Sequence, residues 1–161
     1  EVLNNGKSLP LNQVARLNQR AFRVNELYKK YQKKGVKEQL MVAIHVDSRS
    51  QSHRQDVFFY HYPKSNSSKK LAYDVMETFE EKYALHQKNR DYKGYVDERN
   101  LHVLRVTQPK AVFIELANIK NTFDHKRILL KENRQALSKW IYEGITRRVK
   151  KSKSDQVVAS S

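Results

Sequence analysis

Two apolar runs in this sequence end on side chains that can do chemistry. His45 closes "LMVAIH" and Glu115 closes "AVFIE". A carboxylate among Val112, Phe113, Ile114 and Leu116 is costly to bury unless it is paired or used. If the two runs are neighbouring strands, an imidazole and a carboxylate open onto one sheet edge, where ligands gather in open α/β folds. Each residue has two readings. His45 is either a strand-end histidine satisfied by a backbone carbonyl or a metal ligand. Glu115 is either the buried partner of a cation, with Arg105 the nearest candidate, or a general base whose pKa burial would raise toward neutrality. Asp47 reads as a loop-capping residue rather than a third member of the set.

Other chemistries lack their signatures. There is no P-loop, GxGxxG, HExxH or GxSxG pattern and no Cys-His zinc motif. The remaining histidines, at 53, 61, 86, 102 and 125, are scattered. The absence of cysteine excludes disulfides, thiolate metal sites and cysteine nucleophiles. Thirty-two Lys and Arg against seventeen Asp and Glu give a formal charge of +15, which attracts any polyanion without choosing among them. Basic residues interleaved with Tyr28, Tyr31, Tyr92 and Tyr95 lack the spacing of a nucleic-acid reader, so a solvated surface is the better reading there.

The elements that must position His45 and Glu115 follow from periodicity. Val14, Leu17, Ala21, Val24, Tyr28 and Tyr31 recur at helical steps, and Gly35 is a natural stop. "QLMVAIHV" at 39–46 is continuous enough for a strand covered on both sides. "DVFFYHY" at 56–62 is a second strand, followed by Pro63 and a serine-rich helix start. Leu71, Val75, Phe79 and Tyr83 then mark a second amphipathic helix. Residues 86–100 read as a surface connection, "HVLRV" at 102–106 and "AVFIEL" at 111–116 as two short strands, and the last helix runs from about Lys131 to Thr146 before a basic, polar tail. At 161 residues, 39% of them hydrophobic, the chain is one α/β domain: a mostly parallel twisted sheet flanked by helices. No stretch approaches the length of a membrane span, and no signal peptide is visible.

In order along the chain, four segments resemble the zinc-dependent N-acetylmuramoyl-L-alanine amidases. "LPLNQVARLNQRAFRVNEL" is similar to the family's leucine, arginine and asparagine helix through Leu17, Arg20 and Asn25. "LMVAIHVDS" resembles its serine-isoleucine-histidine-alanine-asparagine strand end, and "DVFFYHYP" and "SKKLAYDV" follow as the next strand and helix. "LHVLRVTQPKAVFIELANIKN" resembles the leucine-arginine segment, proline turn and glutamate-leucine-glycine motif, and "NRQALSKWIYEGI" the closing helix. The resemblance makes His45 a zinc-binding histidine and Glu115 the catalytic glutamate. It also implies Zn2+ as cofactor and peptidoglycan as substrate, cleaved between the lactyl group of N-acetylmuramic acid and L-alanine.

The family's first glycine-histidine-glycine-glycine motif and its metal-binding glutamate have no match here, and Ala117 and Asn118 stand where glycine and an apolar residue are common. A catalytic zinc commonly has three protein ligands. The expectation is therefore a catalytic domain over 1–147, comprising the C-terminal two thirds or so, with the N-terminal strand and helix outside this chain and a basic tail over 148–161. Action in the periplasm or cell envelope and a regulatory protein partner complete the expectation. The rival readings are a non-catalytic peptidoglycan-binding domain of the same fold and, further off, a basic nucleic-acid-binding protein.

Overall fold

In the computed structural model the described residues are 2–3, 6–52, 54 and 56–158. His53 and residues 159–161, which figure in the expectations above, lie outside them. The described elements run β1 Val2–Leu3, β2 Lys7–Ser8, α1 Gln13–Gln32, β3 Leu40–Asp47, β4 Phe58–His61, α2 Asn66–His86, β5 Val96–Glu98, α3 His102–Val106, β6 Lys110–Asn118, α4 Thr122–Leu129 and α5 Lys131–Val158. β1 and β2 form a small antiparallel ribbon, and the main sheet has the order β3-β6-β4-β5. β3 is parallel to β6 and β4 to β5, while β4 runs antiparallel to β6. The sheet is thus mixed, with two of its three pairings parallel.

Local chemistry sets the helix boundaries. The Asn12 side chain accepts from the Ala15 N–H to start α1, and Gly35, at φ +80°, reverses the chain after it. Ser65 accepts from the Ser68 N–H at the start of α2. Asn121 accepts from the N–H groups of both Phe123 and Asp124 to start α4.

Alternation along the strands divides the core in two. On one face Val57, Phe59, Val112 and Ile114 pack against Leu71, Val75 and Phe79 of α2 and Leu137, Trp140 and Ile141 of α5. Each fully buried aliphatic or aromatic side chain here is worth about 1.5–3 kcal/mol over its exposed state. On the other face Met41, Phe58, Tyr60 and Ala111 meet Leu104 of α3 and Val24 of α1. Asn25 ties α1 down: its Nδ2 donates to the Val106 carbonyl and its Oδ1 accepts from the Gln108 N–H, both at 2.8 Å.

Four expectations change. "HVLRV" is a short helix, α3, because its residues close a turn (Thr107 Oγ1 donates to the Val103 carbonyl at 2.7 Å) and its β-branched residues pack on α1 without a strand partner. Residues 86–100 contain β5, and Tyr92 packs against the core while its hydroxyl donates to the Val57 carbonyl, so this segment is more than a surface connection. α5 runs to Val158 rather than stopping near Thr146, since buried Asp74 on α2 pairs with Arg148 and Lys151 of that extension. β3 is an edge strand, not a covered one: Ile44 and Val46 are 55% and 39% exposed.

α5 packs tightly on α2 at Gly144, where an added Cβ would lie 2.6 Å from Val75 Cα. Backbone at that distance cannot yield cheaply. Gly144→Ala is therefore expected to destabilise the domain by about 1–3 kcal/mol, read as a shift in the urea midpoint at unchanged slope.

Candidate active site

The parallel pairing of β3 and β6 sets Leu40 opposite Lys110 and continues in step to His45 opposite Glu115. Side chains directly opposite in a ladder project to the same face with Cα atoms about 5 Å apart. His45 and Glu115 therefore lie side by side at the carboxyl ends of their strands, on the face shared with α1 and α3, and Phe58 of β4 flanks Glu115 from its other side. A register shift follows at once, so that Asp47 meets Asn118. Such a bulge re-aims the chain at the end of a strand.

Polar ties hold this edge. Buried Asn118 accepts from the N–H groups of Arg49 (3.0 Å) and Lys120 (3.1 Å) and donates to the Ser50 carbonyl at 2.8 Å, while Asn121 Nδ2 reaches the Gln51 carbonyl at 2.8 Å. The loop after β3 is thus fastened to the end of β6. Beneath it the buried Asp56 carboxylate pairs with Arg90 and Arg127, and Arg127 also donates to the Leu116 carbonyl at 2.9 Å. Asp124 accepts from the Asn118 N–H at 2.9 Å.

Glu115 itself has no such tie. Its Oε2 is buried and makes no hydrogen bond, and the expected Arg105 partner is turned away, donating to Asn100 Oδ1 at 2.7 Å on the protein surface. The ion-pair reading of Glu115 with Arg105 does not hold. Burial, reinforced by the Asp47 charge and only partly offset by Arg49 and Arg99, pushes the Glu115 carboxyl up to about 7. It is poised to exchange a proton near neutral pH. The His45 ring stacks on Phe113, with centroids 4.1 Å apart and planes 17° apart. Partial burial and the Arg20 charge lower its pKa, favouring the neutral imidazole that a metal requires.

Burial alone would raise the Asp47 carboxyl, but Arg49 Nε at 2.5 Å and the Ser48 N–H at 2.8 Å hold it below the ordinary range. Among the described residues no group of three His, Cys, Asp or Glu side chains is arranged to hold a metal ion. The donors present here do not by themselves make a zinc site. Among the described residues the other four histidines stay out of the site: His61 is buried and bonds the Tyr62 carbonyl, His86 stacks on Trp140, His102 bonds Asn18 and His125 bonds the Ile119 carbonyl.

Sequence reasoning missed the cationic rim. Arg49 and Arg99 both stand close enough to Glu115 and Asp47 for their charges to be felt. Arg99 lies over the Tyr60 ring at 4.5 Å, and the Tyr60 and Tyr95 hydroxyls are 3.3 Å apart beside it. The aromatic-rich "DVFFYHY" was the available signal, but only the pairing of β4 with β5 brings Arg99 beside it.

Comparison with known proteins bears on the family and the fold of the chain. A family profile described as N-acetylmuramoyl-L-alanine amidase matches residues 12–147. No curated protein matches the chain. Among solved structures, an N-acetylmuramoyl-L-alanine amidase from Clostridium difficile 630 superposes with a TM-score of 0.66 at 23% identity, over 83% of this chain and 65% of that one. The CwlD amidase from Clostridioides difficile, solved in complex with the GerS lipoprotein, gives 0.68 at 14% identity over 93% and 71%. An amidase of Nostoc punctiforme gives 0.63 at 17% identity over 92% and 72%. The likeness to these structures is one of fold, and the chain spans about two thirds of their length. By the profile match over most of its residues, the chain belongs to the N-acetylmuramoyl-L-alanine amidase family.

Proposed function

We propose that this chain is the larger part of a peptidoglycan amidase, hydrolysing the amide between the lactyl group of N-acetylmuramic acid and L-alanine, with Glu115 as the proton-transferring residue. The observation that carries the reading is the unpartnered, buried Oε2 of Glu115 at the carboxyl end of β6, with its carboxyl near 7. The ionised form takes a proton from the attacking water as the C–O bond forms. The protonated form then delivers that proton to the departing L-alanine nitrogen as the C–N bond breaks, which returns Glu115 to its starting state. A carboxyl with a pKa near the working pH is suited to both halves of that exchange. Phe58 and Phe113, on the same face, help to keep solvent from its apolar side.

The family profile also supports zinc dependence for the intact enzyme. His45 is the described residue suited to hold zinc, and the described residues supply no full set of donors around it. Zinc, when bound, supplies activated water. The proton path proposed here runs through Glu115. The incomplete set of described donors favours a second reading, a non-catalytic peptidoglycan-binding domain of this fold.

Action in the cell envelope or periplasm follows from the substrate. No helix among the described residues is long and apolar enough to cross a membrane. A regulatory protein partner is proposed on the strength of the lipoprotein complex formed by one structural neighbour.

Two experiments on the intact protein test this. Glu115→Gln is expected to retain zinc and lose about 10²–10⁴-fold in kcat/KM on muramoyl-peptide, measured by release of new L-alanine amino groups. Full activity in the variant would refute the role of Glu115, and no activity in the wild type would favour the binding-domain reading. His45→Ala is expected to lower zinc content by metal analysis while leaving thermal unfolding of the metal-free protein near the wild-type midpoint. Unchanged zinc content would remove His45 from the metal site.

A further inference from the structure

Of the two guanidinium groups at the rim of the Glu115 edge, one is spoken for and one is not. Arg49 is neutralised by Asp47 at 2.5 Å. Arg99 makes no ion pair among the described residues: its backbone N–H is fixed to the His61 carbonyl at 2.9 Å, and its guanidinium lies over the face of Tyr60 at 4.5 Å. A guanidinium held by its face keeps its N–H edge open, and that edge is a planar fork matched to a carboxylate. The ring that supports it is itself fixed, fully buried and within hydroxyl contact of Tyr95, so the cation is presented from a rigid platform.

We propose that Arg99 selects the peptide half of the substrate by pairing with a free carboxylate of the stem peptide. The assignment rests on the muramoyl-peptide reading given above. In such a substrate the lactyl carboxyl of the sugar is consumed in the scissile amide, so the remaining carboxylates belong to the peptide. The backbone of Arg99 follows β5 at the end of the sheet where β6 begins, but its guanidinium lies over Tyr60, which stands opposite Phe113 on the face that carries Glu115, close enough for the two charges to be felt. A peptide leaving group beside Glu115 would bring its carboxylates to this rim, and Tyr60 and Tyr95 would line the approach. Arg99 is a positioning and specificity residue in this assignment, since it touches the peptide away from the bond that breaks.

The test is calorimetric binding to the intact protein in a Glu115→Gln background, which prevents turnover. The ligands are N-acetylmuramoyl-L-alanyl-D-glutamate with both carboxylates free and the same compound as its diamide. The parent is expected to prefer the free acid by about tenfold. Arg99→Gln abolishes that preference while binding the diamide as the parent does, and Arg99→Lys keeps part of it as a point charge without the fork. Lys34→Gln, which removes the same charge from the far end of α1, leaves the preference intact. Equal binding of acid and diamide by the parent, an undiminished preference in Arg99→Gln, equal loss of both ligands in that variant, or loss of preference in Lys34→Gln would each overturn the assignment alone. Failure of the parent to bind either ligand would overturn the muramoyl-peptide reading and this assignment with it.

Discussion

The in-step parallel pairing of β3 with β6 is the constraint on which the rest of the structure depends. It carries His45 and Glu115 to adjacent positions on one face, and a slip of one residue would turn one of them into the opposite core. The pairing is held from both faces: α2 and α5 fill one, and α1 and α3 the other. Beyond Glu115 the regular ladder is no longer what holds the edge. Asn118 and Asn121, one a strand end and one a helix cap, bind the following loop through its backbone and replace the ladder with side-chain hydrogen bonds.

Around that edge, charges are sorted by whether they are satisfied. Asp56, Asp74 and Asp47 are all close to cations; Asp56 and Asp74 each fix distant segments together, and Asp47 pairs with Arg49 two residues on. Glu115 is the exception: the buried oxygens of Asp74 and Asp124 that lack a hydrogen bond still face an arginine, whereas that of Glu115 has neither hydrogen bond nor ion pair among the described residues. This arrangement has a thermodynamic consequence. A carboxyl whose folded pKa stands above its unfolded value favours the folded state most at low pH, and that contribution is lost as pH rises from about 4.5 through about 7. The ionised Glu115 that takes a proton from water is therefore a form the fold disfavours, which is the property that makes it willing to accept the proton.

Much of this was legible in the sequence, for reasons that can be named. The apolar runs ending in His45 and Glu115, the period of α2 and the Ser65 cap are local signals, and local signals survive without the fold. What was missed depends on partners distant in sequence. "HVLRV" has the composition of a strand, but α1 offers it a packing surface and no ladder. β5 is three residues long and exists because β4 lies alongside. α5 outruns its apolar stripe because Asp74, more than seventy residues earlier, holds its cationic extension. Arg105 was the wrong partner for Glu115 for the same reason: in a helix it points to Asn100.

The central claim is that burial leaves Glu115 a proton carrier, and it is tested most directly on the carboxyl itself. Glutamate labelled with carbon-13 at Cδ, in metal-free protein, is followed by NMR from pH 3 to 9, with Glu115→Gln identifying the resonance. A midpoint near 7 for Glu115, against ordinary midpoints for the exposed glutamates, is the predicted result. A Glu115 midpoint at or below the usual 4.5 would contradict the account, because a carboxylate that the fold stabilises in its ionised form is too weak a base to hold the water's proton near neutral pH until the amine departs.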